Sequence, residues 1–238
     1  MAGSDPDDPR RRILVRALSL GLIAGVATGM ARAQRPGAPL PKGQSIFKVV
    51  GDVTVNGKPA DMKTVINPGD TVKTSGKGSE IVFVVGTQAM ILRGEGQMVI
   101  EKPAEASGFA RALRVVRGAL LSVSLAMPME VRSSTATVGI RGTGFYVEAQ
   151  PAETYFCTCY GVTEVAASKE PEKVETIVAT RHDRPVYILA GDASGQLIRN
   201  APFINHTDQE LALIESLVGR EPPFVFPKDS YSAPRRGY

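Results

Sequence analysis

The feature that most constrains this chain is its punctuation. After about residue 45, short apolar and β-branched runs are separated by turn signals roughly every ten residues. Gly51-Asp-Val-Thr-Val-Asn56-Gly57 ends on an Asn-Gly pair, which tolerates the positive φ angles of a tight hairpin. Asn67-Pro68-Gly69-Asp70 and Ser75-Gly76-Lys77-Gly78 supply the next two turns. Ile81–Val85 is apolar without interruption, the mark of a strand covered on both faces. Leu121, Val123 and Leu125 alternate with Ser122 and Ser124, as in a strand with one buried face. Further strands are predicted at Ala89–Leu92, Met98–Glu101, Leu113–Val116, Thr135–Ile140, Gly144–Glu148, Thr154–Tyr160, Val174–Thr180 and Val186–Leu189. No long helical period interrupts them, so residues 46–200 read as one all-β domain.

A single helix is predicted after it, within residues 201–220. Thr207-Asp-Gln-Glu210 has the spacing of a capping box. Leu211, Ile214, Leu217 and Val218 follow as one apolar stripe, and Gly219 supplies the stop. The stripe predicts a helix packed onto the β domain. Residues 221–238 read as a Pro-rich, extended tail in which Phe224 and Phe226 could dock.

Residues 1–33 read as a signal peptide. Arg10, Arg11, Arg12 and Arg16 form a positive region, Ala17–Met30 an uncharged apolar run, and Ala31-Arg32-Ala33 a small-x-small cleavage site, with Ala31 and Ala33 as its small residues. The apolar run is shorter than the roughly 20 residues that span a bilayer, so no stable transmembrane anchor is expected after cleavage. Arginines followed by Ile13-Leu14 suit a twin-arginine route, and the general secretory route fits as well. Either predicts a periplasmic location. Residues 34–45, rich in Pro and Gly, read as a flexible linker.

The net charge of +4 is unevenly placed, because the leader sets five Arg against three Asp. What remains is too small for an electrostatic footprint on nucleic acid, and no nucleic-acid partner is expected. The absence of Trp argues against a stacking platform for bases.

Chemistry is sparse. The chain has no Gly-x-Ser-x-Gly elbow, phosphate-binding loop or His-Glu-x-x-His helix, and only two histidines to serve as general bases. Gly142-Thr-Gly144 reads as a backbone turn, and Arg141 could pair with an acidic ligand or partner or, the reading preferred, hold a turn by donating to carbonyls. No enzymatic activity is expected.

Cys157-Thr-Cys159 stands apart. Residues two apart on a strand face the same way, and a disulfide between them would close a very small ring against the geometry of that bond. In an oxidising compartment two such thiols need another account. Cys157, Cys159, His182 and His206 could together bind zinc, copper or iron, since two thiolates and two imidazoles suit a tetrahedral centre. Asp183 and Asp208 could be the acceptors that orient the imidazoles. Two other readings stay open: small strand residues beside unrelated loop histidines, or a redox-active thiol pair.

The order of motifs also resembles a family. Pro68-Gly-Asp70-Thr-Val-Lys-Thr74 followed by Ser79-Glu-Ile-Val-Phe-Val is similar to the opening of the FecR domain. Arg117-Gly118-Ala-Leu-Leu-Ser-Val, then Ser134-Thr135-Ala-Thr-Val-Gly-Ile-Arg141-Gly142-Thr143-Gly-Phe145-Tyr-Val147, resembles its middle. The resemblance spans about residues 46–190. It implies a short right-handed β-solenoid-like domain that meets an envelope protein partner as an interaction or sensing module linked to signalling. The best-known members are anti-sigma regulators. This chain carries no Trp-containing anti-sigma segment, so the resemblance implies the domain without direct anti-sigma activity.

Overall fold

A computed structural model describes residues 38–102, 111–124, 128–191 and 195–223. The signal-peptide reading of residues 1–33, with Ala31 and Ala33, the first part of the linker and the docking of Phe224 and Phe226 fall outside the described residues. The chain divides into a unit of Met1–Arg35 and a unit of Pro36–Tyr238, and only the second is described below.

Among the described residues this unit is all-β with one helix. Its strands are β1 (Ile46–Val55), β2 (Lys58–Pro59), β3 (Thr71–Val85), β4 (Gln88–Glu101), β5 (Arg111–Val123), β6 (Pro128–Arg132), β7 (Ala136–Ala149), β8 (Glu153–Ala167), β9 (Glu170–Ala179), β10 (Val186–Leu189) and β11 (Ile198–Asn200), followed by helix α1 (Asp208–Leu217). They form one open sheet in the order β11-β10-β8-β7-β6-β5-β4-β3-β1-β2, with β9 also paired to β8 and β5 to β7.

The connectivity differs from the solenoid implied by the family resemblance. A solenoid stacks parallel rungs, whereas these strands return on one another antiparallel, β5–β6 excepted. The turns dictate this. Asn56-Gly57, both at positive φ, joins β1 to β2, and Gly86-Thr87 joins β3 to β4 with Val85 opposite Gln88. A two-residue connection can only reverse the chain.

Several short predicted strands prove to be halves of long ones. Ala89–Leu92 and Met98–Glu101 are both in β4, Leu113–Val116 and the start of the Leu121–Leu125 alternation in β5, and Gly144–Glu148 with all but the first residue of Thr135–Ile140 in β7. The glycines between them bend the strands instead of ending them. Pairing registers shift between Arg93 and Gln97, and between Arg141 and Gly144, which is the signature of β-bulges. Gly118 shows why the bend demands glycine: at φ +86°, a Cβ there would lie 2.4 Å from Gly96 Cα. Gly142-Thr-Gly144, read as a turn, is one of these bulges.

Bending brings both halves of the sheet onto one core. Phe83, Leu92, Leu120, Phe145 and Phe156 pack there with Val72, Met98, Leu113 and Ile140 from the far halves. Phe145 and Phe156 stack with ring centroids 5.7 Å apart. Strand alternation sends Val82, Ile91, Leu121, Tyr146, Tyr155, Cys157 and Cys159 to the opposite face, where α1 covers them.

The helix is set as its sequence requires. Thr207 accepts from Glu210 N, Glu210 reaches back to Thr207 N at 3.0 Å, and Leu211, Ile214 and Leu217 are buried. Gly219 follows at φ +73°. The last residues of the expected linker are docked rather than free: Leu40 packs on this second cluster, and its N–H donates to Leu217 O at 3.1 Å. Among the described residues no helix is long and apolar enough to cross a membrane.

Candidate metal centre

The centre is assembled from three segments. The alternation of β8 points Cys157 and Cys159 to the helix-covered face while Phe156 enters the main core. The β9–β10 connection brings His182. There Asp183 accepts hydrogen bonds from Thr180 N and Oγ1 and from Arg181 N, closing a tight loop. His182 sits at φ +53° within it, and its backbone N–H donates to Cys159 O at 2.9 Å. His206 arrives from the segment leading into α1, just after Asn205 at φ +63°.

One ligand atom from each of the four residues lies within 4.8 Å of all the others. Cys157 Sγ is 3.5 Å from His182 Nδ1, Cys159 Sγ is 3.4 Å from His206 Nε2, and the two nitrogens are 3.2 Å apart. Zinc bonds of about 2.3 Å to sulfur and about 2.0–2.1 Å to nitrogen give a tetrahedron with S···N edges of about 3.5 Å and an N···N edge of about 3.3 Å. Three separations match those edges: the Cys157–His182 and Cys159–His206 S···N distances and the N···N distance.

The outer nitrogens set the tautomers. Ile204 O, which can only accept, lies 2.7 Å from His206 Nδ1, so that nitrogen carries the hydrogen and Nε2 offers its lone pair inward. Asp208 Oδ1 lies 2.9 Å from His182 Nε2 and leaves Nδ1 facing the centre in the same way. Arg181 pairs with the other Asp208 oxygen, which offsets part of the cost of a fully buried carboxylate.

Aromatic walls exclude water. Tyr146 stacks on His206 at 4.3 Å, and Phe203 packs against His182 at 4.2 Å and His206 at 4.5 Å. Cys157, Cys159 and His206 are 0% exposed and His182 is 8%. Both cysteines are free thiols.

The electrostatics separate the two sulfurs. Burial opposes ionisation of Cys157, yet the close contacts with Cys159, His182 and His206 outweigh it and hold its thiol well below the usual range. For Cys159, burial and the neighbouring Cys157 sulfur act together and push the thiol well above it. Burial works against a charged His182, but the Cys157 contact and Asp208 outweigh it and raise the imidazole. One thiolate is thus favoured even before a cation is considered. Four convergent donors with no gap in the set suit a closed site rather than an open, catalytic one.

The structure therefore brings together Cys157, Cys159, His182 and His206, and seats Asp208 behind His182. Asp183, expected to orient an imidazole, faces the backbone of its own loop instead. Arg141 reaches Glu164 Oε1 at 3.2 Å on the surface, not the carbonyls expected of it. Other contributors carried no signal in the sequence. Arg93 of β4 donates to Asn205 O at 3.0 Å and pairs with Glu80 and Glu210, and Glu148 accepts from Tyr146 Oη and Asn205 Nδ2. These groups hold the His206 segment from behind. Their partners are far away in the chain, and no spacing rule links them.

Neither a protein-family model nor a curated protein matches the chain. Among solved structures it is similar to two from Parabacteroides distasonis, both provisionally assigned as anti-sigma factors. One, solved at 2.50 Å, is 17% identical with a TM-score of 0.34, over 63% of this chain and 59% of that one. The chain therefore spans well under two thirds of that structure's length. The other, solved at 1.65 Å, is 17% identical with a TM-score of 0.39, over 72% of this chain and 82% of that one. Similarity of this degree assigns neither a family nor a function.

Proposed function

We propose that this protein is an exported, non-enzymatic β domain that binds one metal ion through Cys157, Cys159, His182 and His206 and serves as an interaction or sensing module of the cell envelope. Zinc fits the donor set and its spacing best. The observation that carries this reading is the pair of inward imidazole nitrogens, 3.2 Å apart, each with its other nitrogen already engaged and each beside a cysteine sulfur. A tetrahedral ion with four protein ligands keeps no open position for substrate, which supports a non-catalytic role. The leader-like residues 1–33 support a periplasmic location, and the FecR-like order of motifs supports a protein partner there.

The test is elemental analysis of the mature protein, purified under reducing, chelator-free conditions. One zinc per chain is expected, with loss of the metal in Cys157→Ser and Cys159→Ser. Cobalt substitution should give the absorption of a tetrahedral, thiolate-bound ion. Sub-stoichiometric metal that zinc addition does not raise would overturn the reading.

A further inference from the structure

We infer that the metal ion latches helix α1 and the segment before it to the sheet, so that occupancy of the centre governs whether residues 204–218 are docked. This rests on the metal-binding reading above.

The argument begins with where the ligands lie. Cys157, Cys159 and His182 belong to the sheet and its loop, whereas His206 stands two residues before the first residue of α1. An ion shared by all four is a cross-link between sheet and helix. A second tie runs through the same place, because Asp208, the first residue of α1, holds His182 Nε2. Without a cation, the inward nitrogens of His182 and His206, 3.2 Å apart, share one hydrogen bond in place of two metal bonds.

Apart from the ion, helix α1 is held by a short apolar stripe and by scattered polar ties, among them Glu215 with Tyr160 and Arg220 and Asn205 with Glu148. Ten residues are fewer than the roughly 12–15 that an isolated helix needs to be even marginally stable in water. Its apolar contribution is Leu211, Ile214 and Leu217. Arg93 holds Asn205 O and Glu210 near its start, and Leu40 N holds Leu217 O at its end. By contrast, the main core of the sheet contains no residue of α1. The sheet therefore keeps its own core when the helix leaves. Short elements with few buried apolar contacts of their own are those that open sub-globally.

Hydrogen exchange read by mass spectrometry tests this on the full mature chain, as purified, after chelation under reductant, and after zinc is restored. Chelation should remove the protection of residues 204–218, leave the amides of β3, β4 and β5 protected, and be reversed by zinc. Cys159→Ser, which leaves the helix sequence untouched, should reproduce the chelated pattern without chelator. Retained protection of 204–218 after metal analysis proves the ion gone would overturn the latch and leave the metal centre standing. Loss of protection throughout the sheet would also overturn it, since the ion would then hold the whole fold. A purified protein that contains no metal and takes up none would overturn the metal reading, and the latch with it.

Discussion

His182 Nδ1 faces His206 Nε2 across 3.2 Å, and each imidazole has its other nitrogen against an oxygen that fixes where the hydrogen sits. The two residues are separated by β10, β11 and their connections, and neither lies in a motif. Their alignment is a product of the fold. Asp208 and the Ile204 carbonyl place two ring nitrogens edge to edge, beside two sulfurs, in a site closed to solvent. Such a geometry suits a cation, which engages all four donors at once.

The carboxylate behind His182 should therefore tune metal affinity. Asp208→Asn keeps an acceptor for Nε2–H but removes the charge that raises the basicity of Nδ1. Zinc affinity, measured by competition with a chromophoric chelator, is expected to fall about 10–100-fold, with stoichiometry unchanged at saturating zinc. Asp183→Asn should change it far less, because that carboxylate serves only the turn at Thr180 and Arg181. Equal losses in the two variants would refute the distinction.

The bend of the sheet makes a separate demand. Gly118→Ala places a methyl group against the Gly96 backbone at a positive φ. Neither partner is a flexible side chain that can move aside. A loss of more than about 2 kcal/mol is expected in urea unfolding. A variant as stable as the wild type would mean that the two strands do not approach so closely.

The helix start offers a gentler perturbation. Thr207→Ala removes the side-chain half of the capping box while Leu211, Ile214 and Leu217 stay in place. It should cost about 1 kcal/mol when the metal-loaded proteins are compared by urea denaturation. An unchanged midpoint would show that the box contributes nothing once the helix is docked.

Much of this was legible in the sequence, for reasons that can be named. The capping box, the Leu211/Ile214/Leu217 stripe and the Asn56-Gly57 hairpin are local signals, and local physics decides them. The period of two placed both cysteine sulfurs on one face of β8. Glycine was harder to read, because a positive-φ glycine in a β pattern serves a turn or a bulge equally well. Gly118 and Gly142 therefore looked like strand ends and are bends. Choosing between Asp183 and Asp208 needed the fold, because each is close in sequence to a histidine and only the loop path decides which faces an imidazole. Arg93 and Glu148 were invisible, since a buried charge is recognisable only by partners distant in sequence.

The last expectation concerns pH and stands apart from the metal. Glu215 lies on the buried side of α1, 2% exposed, where it accepts from the Tyr160 hydroxyl and sits 2.7 Å from Arg220 Nε. Burial pushes its carboxyl up to about 7, with Arg220 pulling the other way. A folded pKa above the unfolded one means that the folded protein holds the proton more tightly. The resulting stability is complete below about pH 4.5, where both states are protonated, and is lost as pH rises through about 7. The wild type should therefore lose about 1–3 kcal/mol across that window from this group. Glu215→Gln keeps a polar partner for Tyr160 but cannot ionise, so its stability should not carry this decline. The metal centre is common to both proteins, so the difference between their pH profiles isolates Glu215. Parallel profiles from pH 5 to 8 would show that the carboxylate is already ionised and paired with Arg220 throughout.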